Sequence, residues 1–470
     1  MKERRQVVVV GSGPGGAVTA ATLAEAGLDV LVLEEGESVP PGDVRSFSLA
    51  QMERAYRASG MTVALGRPPI AYTEACCVGG GSEVNSGLYH RPSTELLQNW
   101  SRDWLVDDLA SEALEPILDA IEQELSVEET AGETFEASER LSVGADVLGW
   151  KCVAVPRWVG RPINGVLPRR GMTSTVLMRA QRSGAEIRSA VRVDKILVSG
   201  SRASGVRVVD SDGVRDIDAG HVVVSGGATQ SPLLLLRSGV RGPIGRNLKM
   251  HPTIKVVAEF DTDVNDPDDV PFHQIREFSP AMMIGGSASR PALIGLALAG
   301  HAALFPHGIP WRRMAVFYAA IRTHAAGRVR ALPRSSRPLV SYMLNAADQK
   351  ALEVALSRLI EVAFAAGATR VFPSIPGFAP LRRMDERPGF IPVSRASLMT
   401  VHLCGTCPIG EDTHRSPVDS WGALRGAENV NVNDASCLPE APGINPQATV
   451  MAIAQRNANV LVERLAGDRR

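Results

Sequence analysis

Cysteine is scarce in this chain: there are six among 470 residues, at Cys76, Cys77, Cys152, Cys404, Cys407 and Cys437. So low a density excludes a disulfide-stapled scaffold and suits a reducing compartment, so a cytoplasmic location is expected. Aromatic residues are also few, at 5%. Neither sign of charge is in excess. Fifty Lys and Arg stand against 51 Asp and Glu, for a formal net charge of −1. That balance excludes a strongly basic nucleic-acid binder and a polyacidic disordered chain. Long hydrophobic runs are missing. The best, Ala292–Gly300, is about half of the roughly 18 residues that a membrane span needs. Met1-Lys-Glu-Arg-Arg5 is charged, with no signal-type apolar segment before the first strand signal.

What is present is a 44% hydrophobic composition, enough to bury the cores of two or three domains, and 44 glycines in no repeat. Val7-Val-Val-Val10 reads as a buried parallel strand. Gly11-x-Gly13-x-x-Gly16 follows at once, then the small-residue helix Ala17–Ala26 and a second strand, Asp29–Leu33, closed by Glu34. This is a βαβ unit. The first glycine permits the tight turn, the second lets backbone approach a pyrophosphate, and the third lets helix and strand pack closely. The helix N-terminus offers free N–H groups to phosphates, and Glu34 is placed for ribose hydroxyls, which disfavours a 2′-phosphate. FAD or NAD is therefore preferred to NADP.

Two further segments carry candidate chemistry. In Cys77-Val-Gly-Gly-Gly-Ser-Glu-Val-Asn85 the glycines let amides lie flat against a ring or phosphate, with Ser82 and Asn85 adding polar contacts. In His402-Leu-Cys-Gly-Thr-Cys407 and Asn445-Pro-Gln447, a neutral His can take a hydroxyl proton and an Asn can bind the same oxygen. Cys404-x-x-Cys407 has no second pair at zinc spacing, so both cysteines read as packing residues and no metal is expected.

Taken together these segments resemble the glucose–methanol–choline (GMC) family of FAD-dependent oxidoreductases. The resemblance also covers Gly226-Gly-Ala-Thr-Gln-Ser-Pro232, Ile244-Gly-Arg-Asn-Leu248 with His251, and Asp434-Ala-Ser436. It implies a mixed α/β fold: a Rossmann-type FAD-binding domain with an inserted antiparallel-sheet substrate domain. The expected boundaries are 1–100, 185–255 and 400–470 for the discontinuous FAD domain, with 101–184 and 256–399 for the substrate or cap domain. It implies that Gly11, Gly13, Gly16 and Glu34 hold the ADP half, and that Val193 meets the adenine through its backbone. Gly80, Ser82 and Asn85 would line the pyrophosphate and flavin, with Asp434 by the phosphates or ribityl chain and Gln447 beside them. His402 would be the catalytic base and Asn445 its partner on the substrate oxygen. Some members tether the flavin through a His just before the Asn of the first signature. Val84 stands there, so FAD is expected to be non-covalent.

The implied reaction is oxidation of a small-molecule alcohol, with hydride passing to flavin N5 and oxygen or another acceptor reoxidising it. Glu83, an acid inside the first signature, turns the substrate expectation towards a polar sugar, aminosugar or cyclitol, although Glu83 itself reads more readily as surface-facing or Arg-paired. Sterol, aryl or aliphatic alcohols are the alternative. Trp158, Phe305, Trp311 and Tyr318 are candidate pocket walls. The rival readings are a NAD-linked dehydrogenase and a catalytically silent electron-transfer subunit.

Overall fold

The computed structural model describes residues 3–40, 42–128, 135–160, 168–266, 270–386 and 391–467. Two sheets organise them. The first has seven strands, in the order Glu186–Arg188, Val30–Leu33, Arg4–Val10, Gly213–Val224, Arg202–Asp210 and Arg192–Ser199, with Val430–Val432 also on Gly213–Val224. The pairs around Arg4–Val10 are parallel, as the run of fully buried valines requires. The three strands from Arg192 to Val224 form an antiparallel meander turned by the Asp210–Gly213 hairpin. Helices Pro14–Glu25 and Gln447–Gly467 pack on each other over this sheet. The C-terminal segment is thereby carried back to the first glycine loop.

The second sheet has nine strands and is antiparallel except where Leu398–Thr400 joins Ile70–Tyr72. Thr253–Glu259, Met314–Ile321 and Met282–Ser287 lie at its centre. Residues Ile254, Val256 and Ala258 alternate to one face and bury against the helix Ala346–Ala365. That helix starts at a capping box of Asn345 and Asp348. The opposite face, with Thr253 and Lys255, lines a cavity between the sheets.

The expected domain boundaries need correction. Thr62–Ala64 and Ile70–Tyr72, inside 1–100, pair in the second sheet. The helices Ser111–Leu125 and Val176–Arg182, inside 101–184, bury Leu114, Leu118, Ile121 and Leu177 in the core of the first. Periodicity shows that a helix has an apolar face; it does not show which sheet covers it. Among the described residues no helix is long and apolar enough to cross a membrane.

Candidate active site

The site is one cavity of about 1050 Å³, reached by both glycine loops, the His402 segment and the open face of the second sheet. The volume is at the top of the range for a single small ligand and leaves room for a long cofactor and a substrate. At the first loop, Gly11 has φ +101°, and a Cβ on Gly16 would stand 2.0 Å from the Gly11 carbonyl oxygen. Gly16 thus serves helix–strand packing and does not line the cavity. Gly11 and Gly13 do. The helix beginning at Pro14 has Gly13 as its cap and no side chain on its free N–H groups. The second loop closes on it: a Cβ on Gly80 would lie 2.7 Å from Gly13 Cα. Two side-chain-free stretches beside an uncapped helix N-terminus fit the pyrophosphate of FAD.

Glu34 and Val193 line the same cavity. Glu34 accepts from Ser12 N (3.0 Å), Ser12 Oγ (2.7 Å) and Gly36 N (2.9 Å). Burial pushes its carboxyl above the usual range, against the pull of those donors. Its position is therefore fixed by the turn after the first strand. Asp434 is more fully engaged. Gly227 N and Ser231 Oγ donate to one oxygen, Ser436 N and Oγ to the other. That carboxylate ties its own turn to the start of the helix Gly227–Arg237, so any cofactor contact from Asp434 comes through its backbone. Asn85 Nδ2 donates to Gln447 Oε1 at 2.7 Å, which joins the second glycine loop to the start of the C-terminal helix.

His402 lines the cavity beside Asn445, whose amide stands 3.3 Å from His402 Nε2. Behind it, His402 Nδ1 is 3.0 Å from His251 Nδ1, and Gly443 N donates to His251 Nε2 at 3.0 Å. A backbone amide can only donate, so it sets the direction of the chain. Burial lowers the His402 pKa to about 4 and holds that of His251 well below the usual value, so both rings are neutral. His251 accepts at Nε2 and carries its proton on Nδ1, toward His402. His402 accepts at Nδ1 and carries its own proton on Nε2, whereas Asn445 presents Nδ2 to it and Oδ1 to Gln274 Nε2 at 3.5 Å, so a half-turn of the Asn445 amide is needed to bring its oxygen to the ring.

Comparison with known proteins agrees with this geometry. The N-terminal GMC oxidoreductase family model matches residues 52–253, the C-terminal one residues 323–454, and a NAD(P)-binding Rossmann-like model residues 9–66. An uncharacterized GMC-type oxidoreductase of Sinorhizobium fredii is 38% identical over 98% of this chain and 95% of its own. The chain belongs to the GMC oxidoreductase family. It is an FAD-dependent alcohol oxidoreductase. A long-chain-alcohol oxidase of Arabidopsis thaliana is 28% identical over 98% of this chain and 68% of its own. Among solved structures, pyridoxine 4-oxidase from Mesorbium loti has a TM-score of 0.76 at 20% identity, covering 97% of this chain and 99% of its own. A formate oxidase of Aspergillus oryzae has 0.78 at 15%, covering 99% of each chain. These two share the fold.

Two residues of the first signature sit elsewhere than this GMC sequence led us to expect. Ser82 is fully buried and outside the cavity wall; its hydroxyl donates to Gly79 O and accepts from Met172 N. Glu83 also lies off the wall, where its carboxylate accepts from Thr173 N at 3.1 Å. Among the described residues it forms no ion pair, although the Arg169 guanidinium is near enough to feel its charge, and because it lies off the cavity wall the argument for an amino-bearing substrate goes with it. Of the four aromatic candidates only Tyr318 lines the cavity. Trp158 is in the first core, and Phe305 and Trp311 flank a separate small pocket. The His251 contact was missed, because no local signal couples residues so far apart in sequence.

Proposed function

We propose that this GMC oxidoreductase oxidises the CH–OH group of an alcohol to the aldehyde or ketone on non-covalently held FAD. The observation that carries the reading is the His402–Asn445 pair, set in one cavity with both glycine loops. Bound FAD supplies the hydride acceptor. Gly11, Gly13 and Gly80 hold its pyrophosphate, Glu34 a ribose, and the Val193 backbone its adenine. Gly16 and Asp434 keep that bed in shape, and Asn85 and Gln447 hold the flavin end. His402 Nε2 and Asn445 grip the substrate oxygen, and His402 takes the hydroxyl proton. For that step His402 must carry its hydrogen on Nδ1 and His251 on Nε2, so the Gly443 amide has to release His251. The resting chain has the opposite polarity.

Met61, Val63, Leu296 and Val401 line the cavity and are 82, 48, 61 and 57% exposed. An apolar mouth favours an alcohol with a hydrocarbon skeleton over a sugar or cyclitol. Anaerobic bleaching of the flavin by aliphatic, aryl and polyol alcohols tests this. Bleaching by none of them would overturn the reading.

Two expectations follow for the cofactor. Val84 lines the cavity at the tether position, and no cysteine is among the described lining residues. Acid precipitation should therefore release the yellow colour into the supernatant; colour in the pellet would mean a covalent link. Glu34→Ala should weaken FAD binding by about 1–3 kcal/mol for the lost ribose contact. It should also lower the melting temperature of the FAD-free protein, because Ser12 and Gly36 lose their acceptor. Calorimetry and FAD titration read the two effects separately, and unchanged FAD affinity would remove Glu34 from the ribose.

A further inference from the structure

The cavity floor is one face of the second sheet. Register sets Val63, Ala71, Met399, Thr253, Ala320 and Met283 side by side across six neighbouring strands. The next row along holds Lys255 opposite Tyr318. Strand alternation turns Lys255 to the side of Thr253, away from the core residues Ile254 and Val256, and it lines the cavity.

Lys255 is half-buried, and its ammonium makes no hydrogen bond and no ion pair with any described residue. Removal from bulk water lowers its pKa to about 8, with no described acid pulling it back up. A cation held this way is costly unless a ligand brings the countercharge. The described carboxylates that share the cavity are all engaged: Glu35 and Glu74 with Arg57, Asp194 with Arg192 and Arg237, Glu34 and Asp434 with the donors already described. Tyr318 is turned away. Its hydroxyl stands where a Cβ on Gly285 would be 2.8 Å off, and it accepts from Gln274 Nε2 at 3.3 Å.

Ser374 gives a second, independent sign. Its N–H donates to the Lys255 carbonyl at 3.0 Å, and it lines the same cavity. Its hydroxyl is buried with no hydrogen-bond partner among the described residues. Buried hydroxyls are ordinarily satisfied. A lone ammonium on Thr253–Glu259 and a lone hydroxyl just past the end of the neighbouring strand Arg370–Pro373 form a two-donor set, which matches the two oxygens and single charge of a carboxylate.

We propose that Lys255 and Ser374 form an anion subsite and that the substrate is an alcohol carrying a carboxylate remote from its hydroxyl. This rests on alcohol oxidation at His402 and names the substrate class for it. The separation follows from the sheet. Gln274 reaches Asn445 at 3.5 Å, and its strand lies three places from that of Lys255. Three strand spacings are roughly 14 Å, and side-chain reach shortens this to on the order of 10 Å between hydroxyl carbon and carboxylate. Ala320 and Met283, on the two strands between, suit a hydrocarbon spacer, so a medium-chain ω-hydroxy acid fits.

The test compares 8-hydroxyoctanoate with octanol in anaerobic flavin bleaching, and measures octanoate binding from its shift of the flavin spectrum. The parent should prefer the hydroxy acid in kcat/KM by roughly 10- to 100-fold, the scale of a hydrogen bond to a charged group. Lys255→Met should reduce that ratio to near one and weaken octanoate binding by a similar factor, while Lys255→Arg keeps most of both. Equal octanoate binding by the parent and Lys255→Met would overturn the subsite. So would loss of FAD from Lys255→Met, which would make the anion the cofactor's own. If octanol bleaches the flavin but octanoate does not bind, the subsite falls and alcohol oxidation stands. If octanoate binds through Lys255 but no alcohol bleaches the flavin, the subsite stands and the oxidation reading falls.

Discussion

Replacing His402 with alanine should leave a folded, yellow protein whose flavin is reduced at least about 100-fold more slowly by a substrate alcohol, the scale for a lost general base. His402 meets Asn445 and His251 and none of the residues that cradle the ADP half, so FAD content should match the parent. Asn445→Ala should lose less, because it orients the oxygen and does not take the proton. The pH profile adds an independent check. With its pKa lowered to about 4 by burial, His402 stays neutral across the working range. Flavin reduction should therefore be flat from about pH 5 upward in this respect and fall as pH drops through about 4, where the ring gains a proton and can no longer accept one. Stopped-flow reduction in the absence of oxygen reads all three. A His402→Ala rate equal to the parent's would contradict the assignment directly. A slow variant that had lost its FAD would move His402 to a cofactor-holding role.

Asp434→Ala should be the most damaging single change away from the catalytic pair. Four donors, from Gly227, Ser231 and Ser436, converge on this one buried carboxylate. Each orphaned donor costs about 1–3 kcal/mol, and relaxation recovers part of the sum, so a loss of at least about 3 kcal/mol is expected. The segments that would loosen are the helix start at Gly227, beside the first glycine loop, and the turn leading to Asn445, so FAD should be lost with stability. Asp434→Asn keeps the shape but turns an amide N–H toward two of the donors, and it should also bind less FAD. Thermal unfolding and the flavin-to-protein absorbance ratio measure both. A parent-like melting temperature and FAD content in Asp434→Ala would show that water takes over the acceptor role.

How much of this was legible in the sequence depends on how local each cause is. Gly11 and Gly16 are dictated by contacts within one βαβ unit, and their spacing alone gave the strand, the turn and the helix. Ser82 and Glu83 belong to a motif as plain, yet their side chains turn to Met172 and Thr173, about ninety residues on, and no pattern in the motif marks that. His251 and His402 are 151 positions apart and meet only because Lys249–Met250 pairs with Leu403–Cys404. Lys255 was half-legible. The alternation Thr253-Ile-Lys-Val256 sets it opposite the core face, but that this face looks into a cavity depends on a second sheet folded from distant segments.

The two faces of the second sheet answer to different demands. Side chains on one face lock against the helix Ala346–Ala365, where an added or lost methylene is felt throughout the core. Those on the other face stand in rows over a roomy cavity. A lineage can therefore exchange Met399, Thr253, Ala320 or Met283 to meet a new alcohol while the core against that helix goes unaltered. Diversified libraries confined to that row should keep a high proportion of soluble, flavin-loaded variants and differ chiefly in what they turn over.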